Sequence, residues 1–378
     1  MLDAINLYPD AFGMDISDLS LKIIKLKKKR GKLGLACFGE SIISPGIIKN
    51  GKVKKEKELI KIIKQAITNV ESGKLDTPYG IISLPEEKAF LRVIQMPIMN
   101  DQELKQAIYF EAENYIPLPI QEVYFDFQVI PLLAKDQSHL DVLIAAMPKN
   151  VVDPYLFCLK KAGVQPVAFE VESSAMCRAL IKNGENMDDP ILLIDLGSTR
   201  TSFIVFSDES LRLTCFAPIC SQKFTEEISR FLSIGLKDAE KIKIKYGIQD
   251  SKKITLKAKK GSKQFDREIA IEKKIFCALA PILTDLVKQI KKSLNFYSSH
   301  ISKINHSHSQ KHIKKILLCG GGACLKGIDD FFSSELDLSV EIGNPWVNIS
   351  DQSLLSARQS IKYTIAIGLA LRGVKPVK

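Results

Sequence analysis

Apolar and polar positions alternate along Phe12 to Glu40, "FGMDISDLSLKIIKLKKKRGKLGLACFGE", in a pattern that predicts three successive strands. The first ends at Asp15, the second sets Leu21, Ile23 and Ile24 against Lys22 and Lys25, and a turn near Gly31 begins the third. The period then lengthens. Leu59, Ile63, Ala66 and Val70 share one face of a helix over residues 56–71, and "YGIISLP" follows as a strand. From Phe90 to Pro148 the pattern predicts a small α+β insertion: strand "FLRVIQM", a helix opened by an Asn100/Glu103 capping box, and strands "EVYFDFQVI" and "HLDVLIAAM". A helix over 151–162 stops at Gly163, and strand "QPVAFEVE" and helix "SSAMCRALIK" lead to Pro190.

There the opening pattern restarts. "PILLIDLGSTRTSFIVF" is a strand ending on Asp195, a turn of hydroxyls and a returning strand, followed by "LRLTCFAPI". Asp15 and Asp195 lie 180 positions apart in matching contexts, which predicts two related halves facing each other. Helices are expected over 225–232, 237–246 and 271–297, then strand, glycine turn and helix in "IKKILLCGGGACLKGIDDFF", and a closing helix in "SIKYTIAIGLALRG". The expected domains are a first-lobe part at 1–89, the insertion at 90–150, the rest of the first lobe at 151–189, and a second lobe at 190–378 with a smaller subdomain at about 235–300.

Composition narrows the class. The 378 residues are 46% hydrophobic and 26% charged, which is globular, and the net charge of +11 favours an anionic partner. The run "KLKKKRGK" reads as a solvated hairpin tip or, less readily, an anionic-surface contact. Eight cysteines without a Cys-x-x-Cys pair fit reduced, buried thiols in a cytosolic protein. Four of the five histidines crowd into "HISKINHSHSQKH", a polar linker with nothing in it to fix metal ligands. No segment approaches the roughly 18 apolar residues of a spanning helix, so membrane association is expected to run through partners.

Three stretches suit a phosphate-bearing ligand. A carboxylate at a strand end can hold a hydrated magnesium ion, as at Asp15 and Asp195. Gly197 with the hydroxyls of Ser198, Thr199 and Thr201 allows backbone N–H groups to approach phosphate oxygens, and Gly320, Gly321 and Gly322 follow a buried strand. A P-loop is excluded because the Gly-Lys pairs are followed by Leu, Val and Leu. A dinucleotide fingerprint counted from Gly320 needs glycine where Leu325 stands.

These motifs, in this order, resemble the phosphate 1, phosphate 2 and adenosine motifs of the actin, hexokinase and heat-shock-chaperone superfamily. Within it the chain resembles the PilM family of type IV pilus assembly, over "QMPIMNDQELKQAIYFEAENYIPLPIQEVYFDFQVI", "AAMPKNVVDPYLFCLKKAGVQPVAFEVESSAMCRAL", "KDAEKIKIKYG" and "CGGGACLKGIDDFF". The resemblance implies an actin-like α/β fold with an inserted subdomain, and ATP (or ADP) with Mg2+ as cofactors. Asp15 and Asp195 would position magnesium. Ser17, Ser20, Lys22 and Gly197 to Thr201 would line the phosphates, Glu240 and Lys243 the ribose and base, and Gly320 to Gly322 the adenosine. Glu172 would orient water, or merely cap its helix. Glu240 and Lys243 also fit an exposed i, i+3 helix pair.

The family's role is that of a cytoplasmic adaptor at the inner face of the cytoplasmic membrane. It binds the cytoplasmic tail of a PilN-like membrane protein in a groove bordered by the insertion. Tyr124, Phe125 and Phe127 could accept such a peptide, although Phe125 and Phe127 equally suit the insertion's core. "INLYP", Ile5 to Pro9, is similar to the partner tail's own signature. A metabolite kinase and a relative of the division protein FtsA are the alternatives, but no base for a kinase stands between Glu86 and Glu172. The first phosphate loop departs from the family pattern. Ser17 replaces glycine and Asp18 adds negative charge, so ATP binding is expected with slow or no hydrolysis.

Overall fold

The computed structural model describes residues 10–29, 31–130, 139–184, 189–248, 263–301, 312–350 and 355–374. The Ile5 to Pro9 stretch, the lysine-rich loop from Ser251 and most of the histidine segment lie outside these residues. The chain divides into two compact units: Met1–Met187 with Asp208–Arg212 and Asn344–Lys378, and Asp188–Ser207 with Leu213–Gly343.

The first unit opens with β1 (Phe12–Ile16), β2 (Ser20–Lys29) and β3 (Lys32–Ile42), an antiparallel meander. The short hairpin β4 (Ile48–Lys49) and β5 (Lys52–Val53) leads into α1 (Glu56–Thr68), and β6 (Tyr79–Leu84) returns parallel to β1. The insertion holds β7 (Phe90–Pro97), α2 (Asp101–Tyr115), β8 (Val123–Ile130) and β9 (His139–Pro148). Then come α3 (Lys149–Ala162), β10 (Gln165–Val171) and α4 (Glu172–Leu180). Strand order in the main sheet is β10-β6-β1-β2-β3, and in the insertion β7-β9-β8.

Alternation along β1 and β2 sorts the two faces of this sheet. Phe12, Met14, Ile16, Leu21 and Ile23 turn to one side and form a core with Leu59 and Ile63 of α1 and Tyr155 and Leu159 of α3. The asparagine at 100 caps α2 by accepting from the N–H groups of Gln102 and Glu103, and Glu103 reaches back to the Asn100 N–H. Gly163 ends α3 in the left-handed region at φ 93°.

The second unit repeats the plan. β11 (Ile191–Leu196), β12 (Thr201–Ser207) and β13 (Ser210–Ala217) are followed by α5 (Ser221–Leu232), α6 (Leu236–Tyr246), α7 (Lys263–Phe296), β14 (Lys315–Cys319), α8 (Ile328–Leu336) and β15 (Ser339–Ile342). Its sheet runs β13-β12-β11-β14-β15, with β14 parallel to β11 as β6 is to β1. The phosphate-type loops match in length. Four residues separate the paired Ile16 and Leu21, and four separate Leu196 and Thr201.

The sequence reading places the closing helix in the second lobe; the structure moves it. That helix, α9 (Thr364–Gly373), packs on the first unit's sheet opposite α1 and α3, where Ala366, Ile367 and Ala370 join Ile24 and Leu26. Two glycines permit the approach. A Cβ on Gly13 would lie 2.2 Å from the Ala366 carbonyl oxygen, and one on Gly368 would lie 1.8 Å from that of Ala175. Backbone contact this close between distant segments leaves no periodic trace in the sequence.

Candidate functional site

In the second unit the hydrophobic run Ile191 to Ile194 drives β11 to the sheet centre, so Asp195 reaches the strand end beside the glycine turn after β14. Gly320 has φ 80°, and a Cβ there would sit 2.0 Å from Asp195 Oδ1 and 2.9 Å from the Leu196 carbonyl oxygen. A Cβ on Gly322 would meet Leu196 at 2.8 Å, whereas at Gly321 it would meet nothing within 4 Å. Gly320 and Gly322 are therefore demanded by packing on the Asp195 loop, and Gly321 is the open member. In that loop the carbonyls of Gly197 and Ser198 accept the first N–H groups of α5, from Ser221 at 2.9 Å and Gln222 at 3.3 Å. Thr201 is fully buried and its hydroxyl donates to the Ile219 carbonyl at 2.7 Å, so it serves the fold. Ser198 and Thr199 remain partly exposed.

Of the Glu240 and Lys243 pair only the lysine is buried; the Glu240 side chain is 46% exposed. The Lys243 ammonium is buried and reaches Glu240 Oε2 at 2.7 Å, Thr225 Oγ1 at 2.7 Å, and the carbonyl and hydroxyl of Ser221 at 3.1 Å each. Glu240 also accepts from the Thr225 hydroxyl. The pair bolts α6 to the start of α5, next to the loop residues that α5 caps.

The first unit carries the matching hairpin. Asp15, 3% exposed, accepts from the Ser83 hydroxyl at 3.0 Å and lies 3.6 Å from the Lys22 ammonium. Ser83 Oγ also accepts from the Ile16 N–H at 2.9 Å. In the loop, Ser17 donates through N–H and hydroxyl to the Ser20 carbonyl at 2.9 and 3.1 Å, and Lys22 donates to Ser20 Oγ at 2.8 Å. Asp18, in the same loop, is tied to a distant turn. Its carboxylate accepts the Asn50 and Gly51 N–H groups at 2.8 and 2.9 Å, which fixes it on the β4–β5 turn. The Gly51 carbonyl in turn accepts from the buried Tyr155 hydroxyl at 3.1 Å.

Glu172 is the first residue of α4 and is 5% exposed, but the cap of that helix is another glutamate. Glu86 Oε2 accepts the Ser173 N–H at 2.5 Å. Among the described residues no three His, Cys, Asp or Glu side chains cluster to cage a metal. A single strand-end carboxylate, as at Asp15 or Asp195, is the kind of ligand nucleotide magnesium would use, since that ion takes most of its ligands from water and phosphate oxygens and needs about one or two carboxylates.

A groove of about 660 Å³ lies in the first unit along the edge strand β8, walled by Leu84, Leu143, Met147, Val152, Leu156 and Phe169. Tyr124, Asp126 and Gln128 stand opposite Met147, Ala145 and Leu143 in the β8–β9 register and share the groove-side face. Phe125 and Phe127 border the groove too, but they pack against the α2 core with Ile144 and Val142. The Tyr124 hydroxyl is anchored to Asp153 at 2.8 Å, which holds its pKa above the usual value. One side is charged. Glu170 is gripped by both guanidinium nitrogens of Arg178, at 3.0 and 2.5 Å, and Arg372 approaches at 3.4 Å.

The family model "Type IV pilus assembly protein PilM" matches residues 13–258, well over half of the chain. The chain belongs to the PilM family. A solved PilM–PilN type IV pilus biogenesis complex is similar to this PilM-family chain over 97% of its length and 99% of the solved chain, with 26% identity and a TM-score of 0.77. The ethanolamine utilization protein EutJ of Carboxydothermus hydrogenoformans (13% identity, 97% and 92% covered, TM-score 0.55) is similar in fold alone. So is MreB 5 of Spiroplasma citri bound to AMPPNP (12% identity, 97% and 96% covered, TM-score 0.50). The fold is actin-like, as expected. A model of the cell division protein FtsA also matches residues 192–368. Curated FtsA of Buchnera aphidicola (subsp. Baizongia pistaciae) is 24% identical over 63% of the chain, and that of Neisseria meningitidis 24% over 56%. The chain spans about half the length of these curated relatives, 56% and 49%. Among the described residues no helix is long and apolar enough to cross a membrane.

Sequence reading of this PilM-family chain missed Ser83, Glu86, Arg178 and Arg372. Ser83 and Glu86 flank the end of β6, where a strand-end hydroxyl and carboxylate were the available signal; the arginines sat in helices with no motif around them.

Proposed function

We propose that this chain is an ATP-binding scaffold of type IV pilus assembly that holds an extended peptide, the cytoplasmic tail of a PilN-like inner-membrane protein. The observation that carries this is the apolar groove beside an edge strand, in a chain whose similar solved structure is a PilM–PilN complex. As the edge of its sheet β8 can accept strand addition, with the Phe127 N–H already donated to Asp126 Oδ1, and the groove walls would take alternate side chains. For ATP with Mg2+, the second unit would offer the strand-end carboxylate Asp195 with Ser198, Thr199 and Gly321 toward phosphate and adenosine, and the first unit the matching carboxylate Asp15 with Lys22. The equal loop lengths and the packing of Gly320 against Asp195 support this assignment. The chain would work at the inner face of the cytoplasmic membrane, and turnover of ATP is expected to be slow.

Titrating a fluorescent peptide of the partner's tail into the full chain tests the reading. Saturable binding that falls when Leu143 or Met147 on the groove wall is replaced by lysine is expected, and no binding with or without MgATP would sink it. In parallel, Asp195→Ala should weaken MgATP at least tenfold by calorimetry.

A further inference from the structure

We propose that the outer face of the α1 and β4–β5 layer binds anionic phospholipid bilayers directly, independently of any membrane partner. Seven lysines crowd between positions 49 and 64 against two glutamates. Lys49 and Lys52 lie on the hairpin, Lys54 and Lys55 at the helix entry, and Lys57, Lys61 and Lys64 on α1, all of them exposed. The helix geometry fixes their direction. Leu59, Ile63 and Ala66 are buried under the sheet, and Lys57, Lys61 and Lys64 recur at i, i+4 and i+7 on the opposite side.

The neighbouring helix adds to this face. α3 shares one core with α1 on the same side of the sheet, and it exposes Lys160, Lys161 and Phe157. Phe157 is 45% exposed, with the Lys161 ammonium 5.7 Å above its ring. Among the described residues, the Lys55–Glu58 contact at 3.3 Å is the one ion pair made by the seven lysines. Their charge is otherwise uncompensated by the fold.

The occupant follows from the chemistry of the face. It is broad, built from lysine point charges without the arginine forks that favour individual phosphates, and it presents one aromatic ring, not a row of stacking platforms. Lysines around an exposed ring suit the charged surface and shallow apolar layer of a bilayer. The face is also held ready. Asp18 and Tyr155 pin the hairpin turn, so binding need not order it.

Sedimentation of the full chain with vesicles tests this, comparing phosphatidylcholine alone with phosphatidylcholine containing about a third phosphatidylglycerol. Binding only to the anionic vesicles, weakening as salt is raised, is expected. K57E/K61E/K64E should reduce it by about tenfold or more, and K57Q/K61Q/K64Q by less, with unchanged melting. The charge-matched K288E/K291E/K292E, on exposed positions of α7, should leave it near wild type. Equal losses from the two Glu triples would show net charge alone and overturn the proposal. So would equal binding to both vesicle types, or capture of a single-stranded oligonucleotide in preference to anionic vesicles.

Discussion

At residue scale, Gly320 carries a sharp prediction. A side chain there would adopt φ 80° and press on Asp195 and the Leu196 carbonyl, costing about 1–3 kcal/mol and displacing the carboxylate. Gly320→Ala should therefore lower both thermal stability and MgATP affinity, whereas Gly321→Ala, opening on free space, should leave stability at wild type in the same melts. Equal melting temperatures for the two variants would contradict the packing role. The glycine triplet was legible in the sequence, but its division of labour was not, because that depends on a strand more than 100 positions away. Five of the eight cysteines are buried as expected, whereas Cys277 is exposed and Cys215 and Cys324 are half-buried. Burial pushes the Cys37 and Cys158 thiols up to about 11, so at pH 8 almost none of either is thiolate. Ellman's reagent should label exposed Cys277 first, and Cys37, Cys158, Cys177, Cys220 and Cys319 only after denaturant is added.

At the scale of elements, periodicity gave strands and helices near their observed bounds, because one face of each is buried in a single core. The Asn100 capping box was equally readable, being local. Asp18 was not. Read beside Asp15 it looked like misplaced charge; folded, it is the acceptor that closes the β4–β5 turn 32 positions away. Asp18→Ala should leave the Asn50 and Gly51 N–H groups without their acceptor and cost about 1–3 kcal/mol, seen as a lower urea midpoint. The aromatics of β8 show the opposite case. Alternation assigned Phe125 and Phe127 to one face, but only pairing with β9 shows that this face belongs to α2 while Tyr124 turns toward the groove.

At the scale of the whole molecule, the repeated strand order argues that one hairpin plan was used twice, and then specialised. The second copy keeps Gly197 where a Cβ would lie 2.7 Å from the Arg200 carbonyl oxygen; the first places Ser17 there and lets its hydroxyl bond the equivalent Ser20 carbonyl. The first copy also gained a connection. Asp18 holds the Asn50–Gly51 turn, Gly51 accepts from Tyr155, and the helix carrying Tyr155 presents Val152 and Leu156 to the groove and Asp153 to Tyr124. A ligand that shifts the phosphate loop should thus bias the groove wall through rigid contacts. Linkage makes the effect reciprocal: whatever factor MgATP applies to peptide affinity, peptide applies to MgATP affinity. We expect a factor of about five or more in wild type. Tyr155→Phe, which removes the hydroxyl that donates to the Gly51 carbonyl and keeps the ring in the core, should leave each ligand binding alone and shrink that factor. Anisotropy titrations of the labelled tail peptide with and without MgATP measure it. An undiminished factor in Tyr155→Phe would show that the two sites communicate by another route.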